Sequence, residues 1–436
     1  MTQNEALDIL KMGHNVFLTG AAGSGKTFLL NRYISYLQEK NVDVGITATT
    51  GIAATHMNGM TIHAWSGIGI KDKLTDSEIQ AMVDKPYLQR RFSRVRVLVI
   101  DEISMLHGYR LDIIDHVCKA FKQNLQPFGG LQVVMCGDFF QLPPVTKPGG
   151  DDRFVYTSRV WQEMGLKVCY LDEQYRQSDR AFLDVLNDIR TSRVSEQTVE
   201  RLRERMEASV EDFITPTKLF THNREVDTIN KAMLKEIDDT PRTFYMSAEG
   251  NDKLVDMSKN GCLAPEELVL KTGAVVMFVK NNYQKGYVNG TMGEVIDFTE
   301  GGWPLVRTFA GDKIEATPEH WMIEEQGQLQ ADISQVPLRL AWAITVHKSQ
   351  GMSLDAAELD LRNCFVPGMG YVALSRVRSL SGIRLLGLNQ MALQINPDVL
   401  KFDIDLQDRS VLAKNELDAM PKSMRTKKQK AFLKAR

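Results

Sequence analysis

An α/β fold with parallel sheets is what this 436-residue sequence predicts, and three observations carry the prediction. In the first third, short apolar runs at 16–19, 42–48, 95–101 and 131–137 alternate with amphipathic stretches of helical period, the pattern of a sheet covered by helices. Segments 20–27, 101–102 and 137–138 fall at the ends of three of those runs, where an open parallel sheet gathers its ligands. Later, 338–344 and 370–376 return to strand-then-helix patterns, enough for a second α/β layer.

The first segment reads Gly-Ala-Ala-Gly-Ser-Gly-Lys-Thr between a strand-like run and a helix-like one. Glycines let backbone N–H groups curl around a polyphosphate, and a helix N-terminus adds positive dipole. Lys26 then reaches the outer phosphates, and the Thr27 hydroxyl is placed to ligate magnesium. Next, 97–102 is a buried strand ending in two carboxylates. Asp101 is expected to hold magnesium through its water shell and Glu102 to polarise an attacking water. In 137–144, Gln141 follows Asp138, Phe139 and Phe140 and precedes Pro143 and Pro144. It is read as a γ-phosphate sensor, the alternative being a rigid proline-capped turn. Downstream, Arg176 and Arg376 are candidates to stabilise the charge that spreads during γ-phosphoryl cleavage.

From 169 to 237 the pattern is helical, with a charged, solvated face at 196–211. Short strands broken by Gly273, Gly290, Gly293, Gly301, Gly302 and Gly311 make 266–337 a small barrel-like insertion. The 422–436 tail carries seven Lys or Arg residues and no acid, so it either reaches a phosphate backbone or frays into solvent.

A composition 43% hydrophobic and 25% charged describes a globular chain with a sizeable core, and a net charge of -2 supplies no bulk attraction for nucleic acid. Five scattered cysteines without a Cys-x-x-Cys pair point to reduced, buried thiols rather than zinc ligands. No signal peptide and no apolar run of about twenty residues is visible. The expected place is the cytoplasm or the nucleoid, away from membrane.

The motif set resembles superfamily one helicases, and within them the Pif (petite integration frequency) family, over roughly 2–387. The residues that carry it are 20–27, 47–54 (Thr-Ala-Thr-Thr-Gly-Ile-Ala-Ala), 61–63, 101–105, the Pro-Phe-Gly-Gly of 127–130 leading to 137–145, 346–351 (Val-His-Lys-Ser-Gln-Gly) and 371–376. The resemblance implies two RecA-like parallel-sheet motor domains, ATP and Mg2+ between them, single-stranded DNA across their tops and 5′-to-3′ stepping. It gives Gln3 the reading of adenine, and Gly23, Ser24, Gly25, Lys26, Thr27, Gln350 and Gly351 contact with the nucleotide. It assigns DNA contacts to Thr50, Gly51, Thr61, His63, Thr345, His347 and Lys348, and finds a polar segment near the small barrel in Asn281, Asn282, Asn289 and Gly290, read as a DNA contact or as turn chemistry. Hydroxyls and backbone N–H groups bind phosphates, while His63, Trp65 and Phe140 offer flat faces for bases.

The expected division is 1–165 for the first motor domain with a wedge insertion near 55–70, 166–265 and 338–410 for the second, 266–337 for a small SH3-like β-barrel insertion, and 411–436 for a basic tail. The chain is read as a minimal, monomeric core acting on single-stranded DNA and on junctions, with forked or G-quadruplex DNA as possible substrates. Repair, recombination and telomere maintenance come from the family alone. The rival readings are a DNA-dependent ATPase that only translocates, and a RecD-like helicase.

Overall fold

The computed structural model describes residues 1–434 except 58, 70, 145–152, 176–178, 209–216, 221–222, 283, 288, 326–327, 347–348 and 350–351. The chain divides into two compact units, Met1–Tyr175 together with Pro397–Arg436, and Arg176–Asn396.

In the first unit, β1 (Val16–Gly20), β2 (Val44–Ala48), β3 (Met60–Thr61), β4 (Val97–Asp101), β5 (Gln132–Cys136) and β6 (Lys167–Leu171) form one sheet in the order β3-β2-β4-β5-β1-β6. Every pairing is parallel. All five residues of β1, β4 and β5 are buried, which is why these runs read as continuously apolar rather than alternating. The expected wedge region is partly sheet: Met60–Thr61 adds the edge strand, and Thr61 caps the short helix Ile62–Ser66 by accepting from the Ala64 N–H.

Three boundaries differ from the sequence reading. β6 pairs with β1 throughout its length, so 167–171 belongs to the first sheet rather than to a second domain beginning at 166. The helix Pro397–Ala419, placed by sequence partly in the second domain and partly in a tail, covers that edge strand. Ser410 Oγ accepts from the Tyr170 N–H at 3.0 Å, Asp403 accepts from the Tyr170 hydroxyl at 3.1 Å, and the Phe402 ring stacks 4.0 Å from Tyr156. An uncovered edge would offer unpaired backbone groups for aggregation, and this helix removes that exposure. Third, the basic tail, for which sequence left a phosphate contact or a frayed end, is a helix, Lys422–Lys434, docked on the same unit.

The second unit holds a four-stranded parallel sheet ordered Ala343–Thr345, Thr217–Phe220, Ala357–Leu361, Ile383–Leu388. Between its first two strands in sequence lies an antiparallel insertion. Its largest sheet runs Lys313–Glu315, Pro304–Thr308, Met292–Phe298, Val275–Phe278, Leu338–Leu340. The insertion starts before 266: Arg242–Tyr245 pairs with Glu267–Leu270, and Ser247–Gly250 pairs with Gln328–Gln335. The intervening helix Asp252–Gly261 disguises this start as helical sequence.

Candidate nucleotide and DNA site

The cradle links β1 to the helix Lys26–Glu39. Gly23 and Gly25 have φ of +87° and +82°, a region that favours glycine, and Gly25 starts the helix with no side-chain cap. Its first N–H groups thereby remain available to an anion. A Cβ on Gly25 would stand 2.3 Å from Gln3 Nε2 and 3.3 Å from Tyr175 Cδ2, so the bare backbone makes room for the Gln3 amide. The Lys26 ammonium donates to the Gly20 and Ala21 carbonyls at 2.8 and 3.0 Å. Ser24 Oγ is fully buried without a hydrogen-bond partner among the described residues, an orphan that a phosphate oxygen would satisfy. Thr27 is exposed at the mouth.

Gln3 does not fray. Thr2 and Glu5 form a capping box on the helix Gln3–Lys11, and the Met1 ammonium donates to the Tyr170 carbonyl and Asp172 carboxylate at 2.6 and 2.5 Å. Gln3 is itself buried.

Asp101 ends β4, and burial raises its pKa against the lowering effects of the Cys136 thiol, the Glu102 N–H and the Lys26 charge. The Cys136 thiol at the end of β5 is pushed well up by burial and by the Asp101 charge. Lys26 therefore acts electrostatically on the end of β4, which joins the cradle to the carboxylates. Glu102 is a non-glycine residue at φ 52°, ψ 42°, a left-handed conformation that costs on the order of 1–3 kcal/mol. Thr49 braces it: its N–H donates to the Asp101 carbonyl at 3.1 Å and its hydroxyl to the Glu102 carbonyl at 2.7 Å. In the next loop, Gln141 Nε2 donates to Asp138 at 3.4 Å, while Gln141 Oε1 is buried with no hydrogen-bond partner among the described residues. Such an acceptor suits a water or another donor at the γ-phosphate end.

Among the DNA candidates, Thr50 Oγ1 accepts from the Ala53 N–H at 3.2 Å beside half-buried Gly51, and Thr61 caps its own helix. His63 is half-buried, and its Nε2 accepts from the Arg110 guanidinium at 2.8 Å, with Arg110 paired to Asp72 at 2.6 Å. Burial, then the Arg110 charge, brings the His63 pKa down to about 4. The unfolded chain therefore binds this proton first as pH falls, so the contribution of His63 to stability is complete above about 6.5 and is lost toward about 4. In His63→Gln, urea midpoints should fall less between pH 6.5 and 4 than in the wild type; parallel pH profiles would contradict the assignment.

Two aromatic expectations are corrected. Phe140 is 4% exposed and Trp65 is 3% exposed, the latter packed on Phe92 with ring centroids 4.8 Å apart. Both rings fill the core rather than offering a face to bases. Thr345 is buried at the end of its strand. Asn281 accepts from the Asn289 N–H at 2.8 Å, Asn282 bonds Glu319, and Gly290 has φ +93°, all closing a turn. Arg376 is buried, with Nε donating to the Val372 carbonyl and an NH2 to Ser375 Oγ. Arg176, His347, Lys348, Gln350 and Gly351 lie outside the described residues.

Sequence reasoning missed the bracing role of Thr49, the Arg110 partner of His63, and Tyr175, which is 62% exposed and bonded through its N–H to the Gly23 carbonyl. Tyr175 had a signal in its aromatic character just past a strand end; Arg110, in the first turn of the helix Gly108–Lys122, had none.

A PIF1-like helicase family model matches residues 3–200, and one for the DNA helicase Pif1 2B domain matches 255–298. The ATP-dependent DNA helicase Pif1 of Psychrobacter sp. (strain PRwf-1) is 42% identical, the alignment covering 99% of this chain and 75% of that protein. Among solved structures, Bacteroides sp Pif1 in complex with ADP-AlF4 superposes with a TM-score of 0.81 at 30% identity, covering 93% of this chain and 96% of that one. Bacteroides Pif1 bound to ssDNA gives 0.63 at 29%, with the same coverage. No helix among the described residues is long and apolar enough to cross a membrane. Likeness on this scale, over nearly the whole chain and three quarters of the relative, decides membership: this chain belongs to the PIF1-like helicase family.

Proposed function

We infer that this chain is an ATP-dependent DNA helicase, its first unit binding and cleaving ATP and its turnover coupled to single-stranded DNA. The observation that carries the chemistry is the convergence of Lys26, Asp101 and the left-handed, braced Glu102 on the carboxyl ends of β1 and β4. Lys26 and the N-terminal N–H groups of Lys26–Glu39 hold the phosphates. Glu102 accepts the proton of the attacking water, and Gln141 Oε1 orients that water. A desolvated Asp101 carboxylate and the exposed Thr27 hydroxyl fit a magnesium ion, which would neutralise charge on the β- and γ-oxygens. Gln3 and Tyr175 form the side where the base is expected. Arg176 and Arg376 are proposed, on family resemblance alone, as the cations that stabilise the transition state.

The 5′-to-3′ direction, action as a monomer and a place in the cytoplasm or nucleoid rest on the same resemblance. Steady-state ATP hydrolysis measured with and without a short oligodeoxynucleotide tests the coupling. Turnover should rise by about tenfold or more with DNA, a change of about 1.4 kcal/mol in the barrier. Slow turnover indifferent to DNA would leave only a nucleotide-gated binding module.

A further inference from the structure

The helix Lys422–Lys434 carries six basic residues and no acidic one. That composition works against the helix itself, because like charges three and four residues apart repel and Lys422 stands at the positive end of the dipole. Docking compensates. Arg425 donates to the Met420 and Leu417 carbonyls at 3.0 and 2.6 Å, and Gln429 bonds Asp8. Arg96 donates to the Phe432 and Leu433 carbonyls at 2.5 and 3.3 Å, and Phe432 lies where a Cβ on Gly13 would be. Positions 425, 429, 432 and 433 thus define the seated face. Lys427, Lys430 and Lys434, at i, i+3 and i+7, are exposed on another face.

The location follows from topology. Gly13 lies just before β1 and Arg96 just before β4, so the helix sits at the amino edge of the sheet. The cradle and Asp101 lie at the carboxyl edge, about 16 Å away along five-residue strands. Lys428 lies at the same edge, since its charge and that of Lys167, the first residue of β6 and ion-paired with Glu416, help to hold the His14 pKa down after burial, against the opposing charge of Glu416.

We propose that Lys427, Lys430 and Lys434 form a second nucleic-acid contact, on the sheet edge opposite the nucleotide, that binds the phosphate backbone of duplex DNA without reading sequence. The three lysines span about 10.5 Å of helix, a length along which a duplex presents about six phosphate charges. A rigid row of cations suits a rigid, charge-dense rod. Single-strand sites add aromatic platforms for bases, and the exposed positions Ser423, Met424, Thr426 and Ala431 supply none. The proposal rests on the reading of the chain as a DNA helicase and adds a site separate from the motor.

The test is binding of blunt duplex DNA and of a single-stranded oligonucleotide from 50 to 200 mM salt, comparing wild type with Lys427→Ala/Lys430→Ala/Lys434→Ala. For duplex, the slope of log affinity against log salt should fall by about 2 to 3, and each single Lys→Gln variant should lower it by about 1. The corresponding triple Lys→Arg variant should restore the slope. Single-strand affinity and single-strand-stimulated ATP turnover should stay at wild-type levels, showing a folded motor. An unchanged duplex slope in a variant with full ATP turnover would overturn the proposal and leave an acidic protein surface as the partner of this face. Loss of the single-strand slope instead would also overturn it, by placing the lysines on the motor's own track. Absence of DNA-stimulated turnover in the wild type would count against the helicase reading and not against this site.

Discussion

Replacing Glu102 with glutamine should lower ATP turnover by about a thousandfold, the range in which a general base operates. Nucleotide affinity should stay within about threefold of wild type, because the amide keeps the shape of the side chain and loses only its ability to take a proton. The backbone strengthens this expectation. Glu102 is held in a left-handed conformation by Thr49 on its carbonyl and by Asp101 on its N–H, at 2.7 and 2.8 Å. Both are bonds of the Glu102 backbone, so Glu102→Gln should leave the strained turn intact. Rapid-quench measurement of a single turnover, beside fluorescent-nucleotide binding, separates the two effects. Turnover near wild type would remove Glu102 from the role of base.

Lys26→Ala should behave differently. It removes a point charge from the phosphate site and, at the same time, a cation that favours the ionised form of buried Asp101. Losing a charged hydrogen-bonding partner costs about 1.5–3 kcal/mol, so ATP affinity should weaken about ten- to a hundredfold. Turnover should fall by about two to three powers of ten at saturation, since the same charge stabilises the transition state. Lys26→Arg should not restore either quantity: a planar fork does not fit where a compact ammonium bridges the Gly20 and Ala21 carbonyls. Isothermal titration with a non-hydrolysable ATP analogue checks the affinity. Wild-type affinity in Lys26→Ala would show that the cradle does not hold the phosphates through this residue.

The chemistry of the cradle was legible because its parts are contiguous. Eight residues in a row encode the positive-φ glycines, the helix start and the lysine, and the Asp101-Glu102 pair closes a run of apolar residues whose burial is complete. Parallel sheets announce themselves in the same way. Contacts between distant segments were not legible. Nothing near residue 432 tells that Phe432 seats beside Gly13, or that Arg96, 336 residues away, holds its carbonyl. A lysine-rich stretch looks solvated when Phe432 and Leu433 are the apolar residues that seat it, beside Arg425 and Gln429. The edge strand β6 was assigned to the wrong unit because Gly165, at φ +62°, marks a turn just before it without telling which sheet the next strand joins; its place is set by pairing with β1. Aromatic residues failed for a related reason. Phe140 and Trp65 sit beside motif residues, yet whether a ring faces solvent is decided by packing, and Trp65 fills the space left above Gly45. The left-handed Glu102 had no signal at all, since glutamate gives no hint of positive φ.

Strand release from duplexes bearing a single-stranded tail on either the 5′ or the 3′ side, with ATP present, puts the central claim to its most direct trial. Coupled hydrolysis in a Pif1-type motor should free the strand from the 5′-tailed duplex and leave the 3′-tailed one paired, with Glu102→Gln freeing neither. ATP consumed on both substrates without release of any strand, or release from the 3′-tailed duplex alone, would contradict the account.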